Sequence, residues 1–331
     1  MLDTLISDLR GALGIQFKQD IQVASKALGQ TVLASHLGAQ GNEKKTIRLG
    51  DDCAAIPDGD GYLLLAAEGM WPLLVETEPW FAGWCAVLVN VSDIYSMGGR
   101  AIAVVDALWS QSPDHAKEIW AGMMAASNAF NVPIVGGHTN GHSSYNALSV
   151  AILGRAKRLI TSFNAQPGDV LLLVTDVRGK AHPKYPFWDA ATEADPKRLQ
   201  DDLALLPQIA EAGLCDAGKD VSMGGIVGTT LMLLEASGCG AVLHLDQVPQ
   251  PSSISLSQWL LSFPSYGFLL SVRPDTIDTI KPYFVQRDLV CAAIGQVESG
   301  SQLRLTYQGD SQIFWDLASH NLTGFKRSCP S

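Results

Sequence analysis

The chain has 331 residues, 47% of them hydrophobic and 17% charged, enough for two compact domains. A formal net charge of -10 argues against a long polyanion such as DNA or RNA as partner, since binding one requires clustered Lys and Arg. No apolar run reaches the ~18 residues of a membrane span, and the six cysteines contain no CxxC pair and match no zinc pattern or disulfide framework, so a cytoplasmic protein away from membranes is expected.

Leu2, Leu5, Ile6, Leu9 and Leu13 recur at helical spacing and predict helix through residues 1 to 35. This segment lacks a basic region followed by an apolar core, the pattern of a secretory signal. Leu37 to Gly50, rich in Gly and charge, reads as a mobile loop. Tyr62 to Ala67 reads as a strand ending at Glu68. Pro79 to Met97 reads as a helix stopped by Gly98-Gly99. A strand over Ala101 to Leu108 follows, then a helix over Pro113 to Phe130 with Pro113 in its first turn. A very short strand, Val132 to Val135, leads into Gly136-Gly137, and Ala147 to Leu153 forms another. The polar stretch Arg155 to Gly168 divides a first domain, residues 1–158, from a second, residues 165–331. The second half opens with a strand, Val170 to Thr175, and an irregular segment, Asp176 to Pro196. Helices over about Lys197 to Ala212 and Ser222 to Ala236 follow. Strands are expected at Ala241 to Leu245, Phe268 to Val272, Val290 to Val297 and Leu303 to Tyr307. Alternating strands and helices predict α/β (α+β) layering.

Three clusters of acids and glycines, at Gly50-Asp51-Asp52, Asn90 to Gly99 and Gly136-Gly137-His138-Thr139, suggest one site for a metal and a phosphate. No P-loop, GxGxxG fingerprint or protein-kinase motif set is present, so the phosphate would be held through Mg²⁺, which prefers oxygen ligands. The candidate metal ligands are Asp51, Asp52, Glu68, Asp93 and Asp220. Asn90, Asp93 and Met97 share one face of a helix that is otherwise apolar, and burying two polar groups there without partners would cost roughly 1–3 kcal/mol each. Asp220 stands where a helix is expected to begin, and could cap it, hold a cation, or both. His138 and His142 have no evident third zinc ligand. Lys44, Lys45 and Arg48 could fold over a triphosphate or lie in a solvated loop. Arg178, His182 and Lys184 could contact an acceptor substrate.

Gly50-Asp51-Asp52-Cys53-Ala54-Ala55 resembles the metal loop of thiamine-monophosphate kinase. Asn90-Val91-Ser92-Asp93-Ile94-Tyr95-Ser96-Met97-Gly98-Gly99 and Gly136-Gly137-His138-Thr139 resemble elements of selenophosphate synthetase. Lys219-Asp220-Val221-Ser222-Met223-Gly224-Gly225 is similar to the element that opens a helix in the second domain of both. The chain thus resembles the superfamily of aminoimidazole ribonucleotide (AIR) synthetase from about residue 45 to about residue 310. The resemblance implies a two-domain AIR synthetase-like fold. Its N-terminal sheet domain would pair with a twin into a homodimer barrel, and an α/β domain would follow. It further implies ATP and Mg²⁺ as cofactors. Asp52, Asp93 and Asp220 would be the catalytic metal ligands, and Gly136, Gly137 and His138 would line the nucleotide site; Asn90, Thr139 and Lys45 are further candidates for binding the nucleotide. Glu68 stands where the family usually has Asp. No cysteine precedes Cys53, unlike the reactive Cys or selenocysteine of selenophosphate synthetase.

The expected function is ATP- and Mg²⁺-dependent phosphoryl transfer to an oxygen of a small-molecule acceptor, by kinase or synthetase chemistry. The alternatives are a non-catalytic nucleotide-binding or scaffolding homologue, and an acid–base enzyme that uses the carboxylates without ATP.

Overall fold

The computed structural model describes residues 2–34 and 45–326. The chain forms two compact units: Met1–Asp52, Leu159–Ala190 and Ile209–Ser331 make one, and Cys53–Arg158 with Ala191–Gln208 the other. The sequence reading draws one division, between residues 158 and 165; the chain also crosses at Asp52–Cys53, Ala190–Ala191 and Gln208–Ile209.

The unit containing Cys53–Arg158 is a five-stranded sheet in the order Ala54–Asp58, Gly61–Gly69, Ala147–Ala156, Arg100–Trp109, Ile134–Asn140. Only the last pair is parallel, and the helix Pro113–Phe130 makes the crossover between its strands. Ser112 caps that helix by accepting from the His115 N–H, and Pro113 occupies its first turn. The helix Pro79–Ser96 is buried on nearly every side from Ala82 to Ile94, as an all-round apolar helix must be. The two helices cross closely: a Cβ on Gly83 would lie 2.0 Å from the Ile119 carbonyl oxygen, and one on Gly122 1.8 Å from that of Trp80. Alternation along the strands puts Leu64, Val104, Leu148, Val150 and Ile152 in the core. It leaves Leu65, Val105 and Leu153 exposed on the opposite face.

The other unit is built on a seven-stranded sheet in the order Ala217–Asp220, Gly267–Val272, Val170–Thr175, Val290–Glu298, Gly240–His244, Gln302–Tyr307, Asp310–Asp316. The unbroken apolar run Val170 to Val174 suits its interior position. The helix Gly225–Ser237 is buried throughout, and Leu2, Leu5, Leu9 and Ile15 join its core together with Trp259 and Phe314.

Several expected elements differ. The N-terminal segment is two helices, Leu2–Gly11 and Leu13–Leu28, ended by Gly29 at φ 77°; the strand Thr31–Ala34 follows, where Thr31 and Val32 favour extended backbone. That strand pairs with Lys45–Arg48, inside the stretch read as a loop; residues 37–44 of that stretch lie outside the described residues. Gly136 to Thr139 belong to the strand Ile134–Asn140 rather than to a loop after it. The edge position lets the strand carry two glycines. The helix expected over Lys197 to Ala212 is two, Pro196–Leu203 and Leu205–Glu211. No described helix is long and apolar enough to cross a membrane.

Candidate functional site

Asp51 and Asp52 lie on the turn that opens at Gly50, whose φ of 100° favours glycine. A side chain there would also strike Phe325, since a Cβ on Gly50 would be 2.3 Å from the Phe325 Cβ. Ser162 holds Asp51: its N–H donates to both carboxylate oxygens at 3.2 and 3.0 Å, and its hydroxyl donates at 2.6 Å. The Asp52 N–H adds a fourth bond at 3.0 Å. Burial, and then the Asp52 charge, push the Asp51 carboxyl up to about 6, against the pull of Lys219 and Ser162. With its oxygens so committed, Asp51 shapes the turn that presents Asp52.

The buried strand Ala217–Asp220 brings Lys219 and Asp220 to the same place. The Lys219 ammonium donates to Asp52 Oδ1 in a buried ion pair. Burial opposes its charge, but Asp52, Asp51 and Asp220 outweigh burial and hold the ammonium above the usual lysine range. The Asp220 N–H donates to Asp52 Oδ2 at 3.4 Å, and an Asp220 carboxylate oxygen lies within 4.8 Å of one from Asp52. Two residues on, the buried Ser222 Oγ has no hydrogen-bond partner among the described residues. Asp220 therefore ends a strand and does not cap a helix, which corrects the sequence reading. The helix starts at Gly225, its N-cap is Gly224, and no side chain caps it.

In the other unit, Asn90 and Asp93 are buried one turn apart on the helix Pro79–Ser96. The Asn90 amide donates to the Ala86 carbonyl at 2.8 Å, while its Oδ1 has no hydrogen-bond partner among the described residues. The Cys53 N–H donates to Met97 Sδ at 3.0 Å, which ties the start of this unit to the end of the same helix. Glu68 is exposed near the end of its strand, opposite Val150. Gly136, Gly137, His138 and Thr139 are exposed along the edge strand.

The Lys45 backbone opens a strand, and its side chain lies outside what is described; Lys44 lies outside the described residues altogether. The Arg48 guanidinium sits 3.8 Å from the Phe163 ring centre. Arg178 makes a two-pronged pair with Asp176 at 2.8 and 2.9 Å, and His182 stacks on Tyr185. His138 and His142 join no cluster of three metal-ligating side chains among the described residues.

Three residues not singled out in the sequence adjoin the candidate residues: Lys219 and Ser162 contact Asp52 and Asp51, and Asp106 lies against Gly137. Lys219 had a signal, a lysine directly before Asp220. Asp106 had another, an acid inside an apolar strand. It faces Gly137, where a Cβ would lie 2.2 Å from its Oδ1, and burial raises its carboxyl above the usual range against a hydrogen bond from Trp120. Ser162 had none, because its bond to Asp51 spans 111 residues.

The chemistry of this donor set fits a hard divalent cation. Carboxylate oxygens of Asp52 and Asp220 converge, and both side chains are largely withdrawn from water.

Residues 50–156 match the family described as AIR synthase related protein, N-terminal domain, and residues 166–308 match its C-terminal domain. An uncharacterized protein of Synechocystis is 60% identical over 98% of this chain and 99% of its own length. Among solved structures, T. maritima PurL complexed with ATP superimposes with a TM-score of 0.69 at 20% identity, covering 83% of this chain and 47% of PurL. AaThiL complexed with AMPPCP and TMP superimposes with a TM-score of 0.62 at 18% identity, covering 81% and 92%.

Proposed function

Since this chain belongs to the AIR synthase related family, we propose that it is an enzyme that uses ATP and Mg²⁺ to phosphorylate an oxygen of a small-molecule acceptor. The observation that carries the proposal is the convergence of the Asp52 and Asp220 carboxylates, in a fold shared with nucleotide complexes. Asp52 and Asp220 hold the cation, and Asp93 completes the set. A bound divalent cation would supply positive charge for the transferring phosphoryl group, where most catalysis of this reaction arises. Asp51 orients the turn through Ser162. Asn90, whose Oδ1 has no hydrogen-bond partner among the described residues, and the edge strand Gly136 to Thr139 serve the nucleotide, and Glu68 is a further candidate metal ligand.

The chain acts as a homodimer. The apolar face of the five-stranded sheet, with Leu65 at 47%, Val105 at 41% and Leu153 at 37% exposure, is a surface that water does not favour. A second copy would cover it.

Calorimetry with AMPPCP and Mg²⁺, followed by ADP release with candidate acceptors, tests the proposal. Asp93→Asn is expected to abolish ADP release and leave the fold intact; turnover at the normal rate in that variant would defeat it. One observation favours a second reading, a nucleotide-binding homologue without turnover: the Lys219 ammonium already occupies Asp52. Tight binding with no ADP release for any acceptor would select that reading.

A further inference from the structure

We propose that Lys219 takes the place of a second divalent cation, so that the acids bind one divalent ion per chain. The inference rests on the reading of Asp52 and Asp220 as cation ligands. A carboxylate can join two metal ions by giving one oxygen to each, and an oxygen that already carries an ammonium is a poor ligand for a second cation. In Asp52 those oxygens have different neighbours: Oδ1 carries the Lys219 ammonium, and Oδ2 lies toward Asp220, whose N–H donates to it at 3.4 Å. Oδ2 is the oxygen on the Asp220 side, where an ion held by both acids would sit.

The ammonium is not free to leave. Lys219 is 6% exposed, and its backbone is held in the sheet register opposite Leu269, with Asp220 opposite Phe268. Its stem runs through packed protein, so the charged end has little room other than among the acids. Removing it to water would leave the Asp52 charge buried without it, which is strongly unfavourable. A second divalent ion at Oδ1 would have to displace the ammonium or sit against it, and like charges in a buried setting repel strongly. Lysine suits this post because its ammonium is a compact point charge with three donors on a long stem. Lys219 is thus a positioning residue. It fixes which oxygen of Asp52 meets the ion, and how many ions the acids accept.

The test counts Mn²⁺ on the full chain, without nucleotide, by the electron paramagnetic resonance of free Mn²⁺. Wild type is expected to bind one ion per chain at these acids, and Asp220→Asn to lose it. Lys219→Met is expected to bind a second ion and to hold the first at least tenfold more tightly. Lys219→Arg, which keeps the charge, is expected to bind one. Circular dichroism confirms the fold of each variant. Two or more ions lost together from wild type by Asp220→Asn would overturn the role of Lys219 even if Lys219→Met failed to fold. So would Lys219→Met with unchanged number and affinity. Mn²⁺ that survives Asp220→Asn undiminished would overturn the site reading itself, and the inference with it.

Discussion

Glu235 links the buried helix Gly225–Ser237 to the C-terminal segment, and its loss should reach the acids. Its side chain is 3% exposed and accepts four hydrogen bonds: from the N–H groups of Leu322, Thr323 and Gly324 at 2.8, 2.7 and 3.2 Å, and from the Thr323 hydroxyl at 2.6 Å. Successive N–H groups turned inward make a nest for an anion, and this chain fills its nest with its own carboxylate. A single bond to a charged group contributes about 1.5–3 kcal/mol, and each buried donor left bare costs about 1–3 kcal/mol. These do not sum, because the segment can peel away and rehydrate. Glu235→Ala should therefore destabilise by about 3–5 kcal/mol, and Glu235→Gln, which keeps one oxygen, by about 2 kcal/mol. Urea unfolding at fixed pH measures both. The same segment carries Phe325 onto Gly50, beside Asp51 and Asp52, so Mn²⁺ affinity should fall about tenfold in Glu235→Ala, equivalent to about 1.4 kcal/mol. A stability loss under about 1 kcal/mol would refute the burial argument. Unchanged Mn²⁺ affinity in a folded variant would refute the link to the acids.

Gly14→Ala would place a Cβ 2.0 Å from the Met223 carbonyl oxygen, so the turn after Asp220 must shift. We expect a cost of about 1–3 kcal/mol in urea unfolding and weakened Mn²⁺ binding, whereas wild-type values for both would remove Gly14 from the argument. Leu65→Glu on the open sheet face should convert the proposed dimer to monomer by light scattering, and a wild type that is itself monomeric would contradict the dimer. Asp51 gives a pH signature in the metal-free chain. Its carboxyl binds a proton more tightly folded than unfolded, so its contribution to stability falls as pH rises from about 4 to about 6 and stays lost above that. The loss is on the order of 3 kcal/mol. Asp51→Asn should flatten that stretch of the stability–pH curve relative to wild type, and parallel curves would show that Asp51 titrates normally.

The local signals that announced the fold were strong where one element explains itself. Pro79 and Gly98 bracket the central helix of the first sheet unit, and Asn90 and Asp93 stand out in it because the rest of the helix is apolar. Both are buried, as a polar pair needing partners would be. The strand Ala217–Asp220 is the opposite case. Four residues that include Gly, Lys and Asp have weak strand propensity, and only the register against Gly267–Val272 makes them a strand. Missing it moved Asp220 to a helix start that lies at Gly225. The Lys219–Asp52 pair spans 167 residues, and no local pattern encodes such a meeting. The N-terminal helices misled in another way: their apolar stripe announces a partner surface but not which one, and it packs with Trp259 and Phe314 from the far end of the sequence.

The residues that match the AIR synthase related family begin at residue 50 and end at residue 308. The acids lie inside that span, but much of what fixes them does not. Gly14 sits against Met223, and Phe325 sits against Gly50. Gln22 donates to the carbonyls of Asn321 and Leu322, and the Lys326 N–H donates to Gln30, so the two outlying segments also hold each other. The cation site proposed above would need its oxygens held rigidly, to within about 0.5 Å. The segments outside the matched span supply that stiffness from both sides. The placement of Asp51, Asp52 and Asp220 in this chain therefore depends on its terminal segments as well as on the matched span.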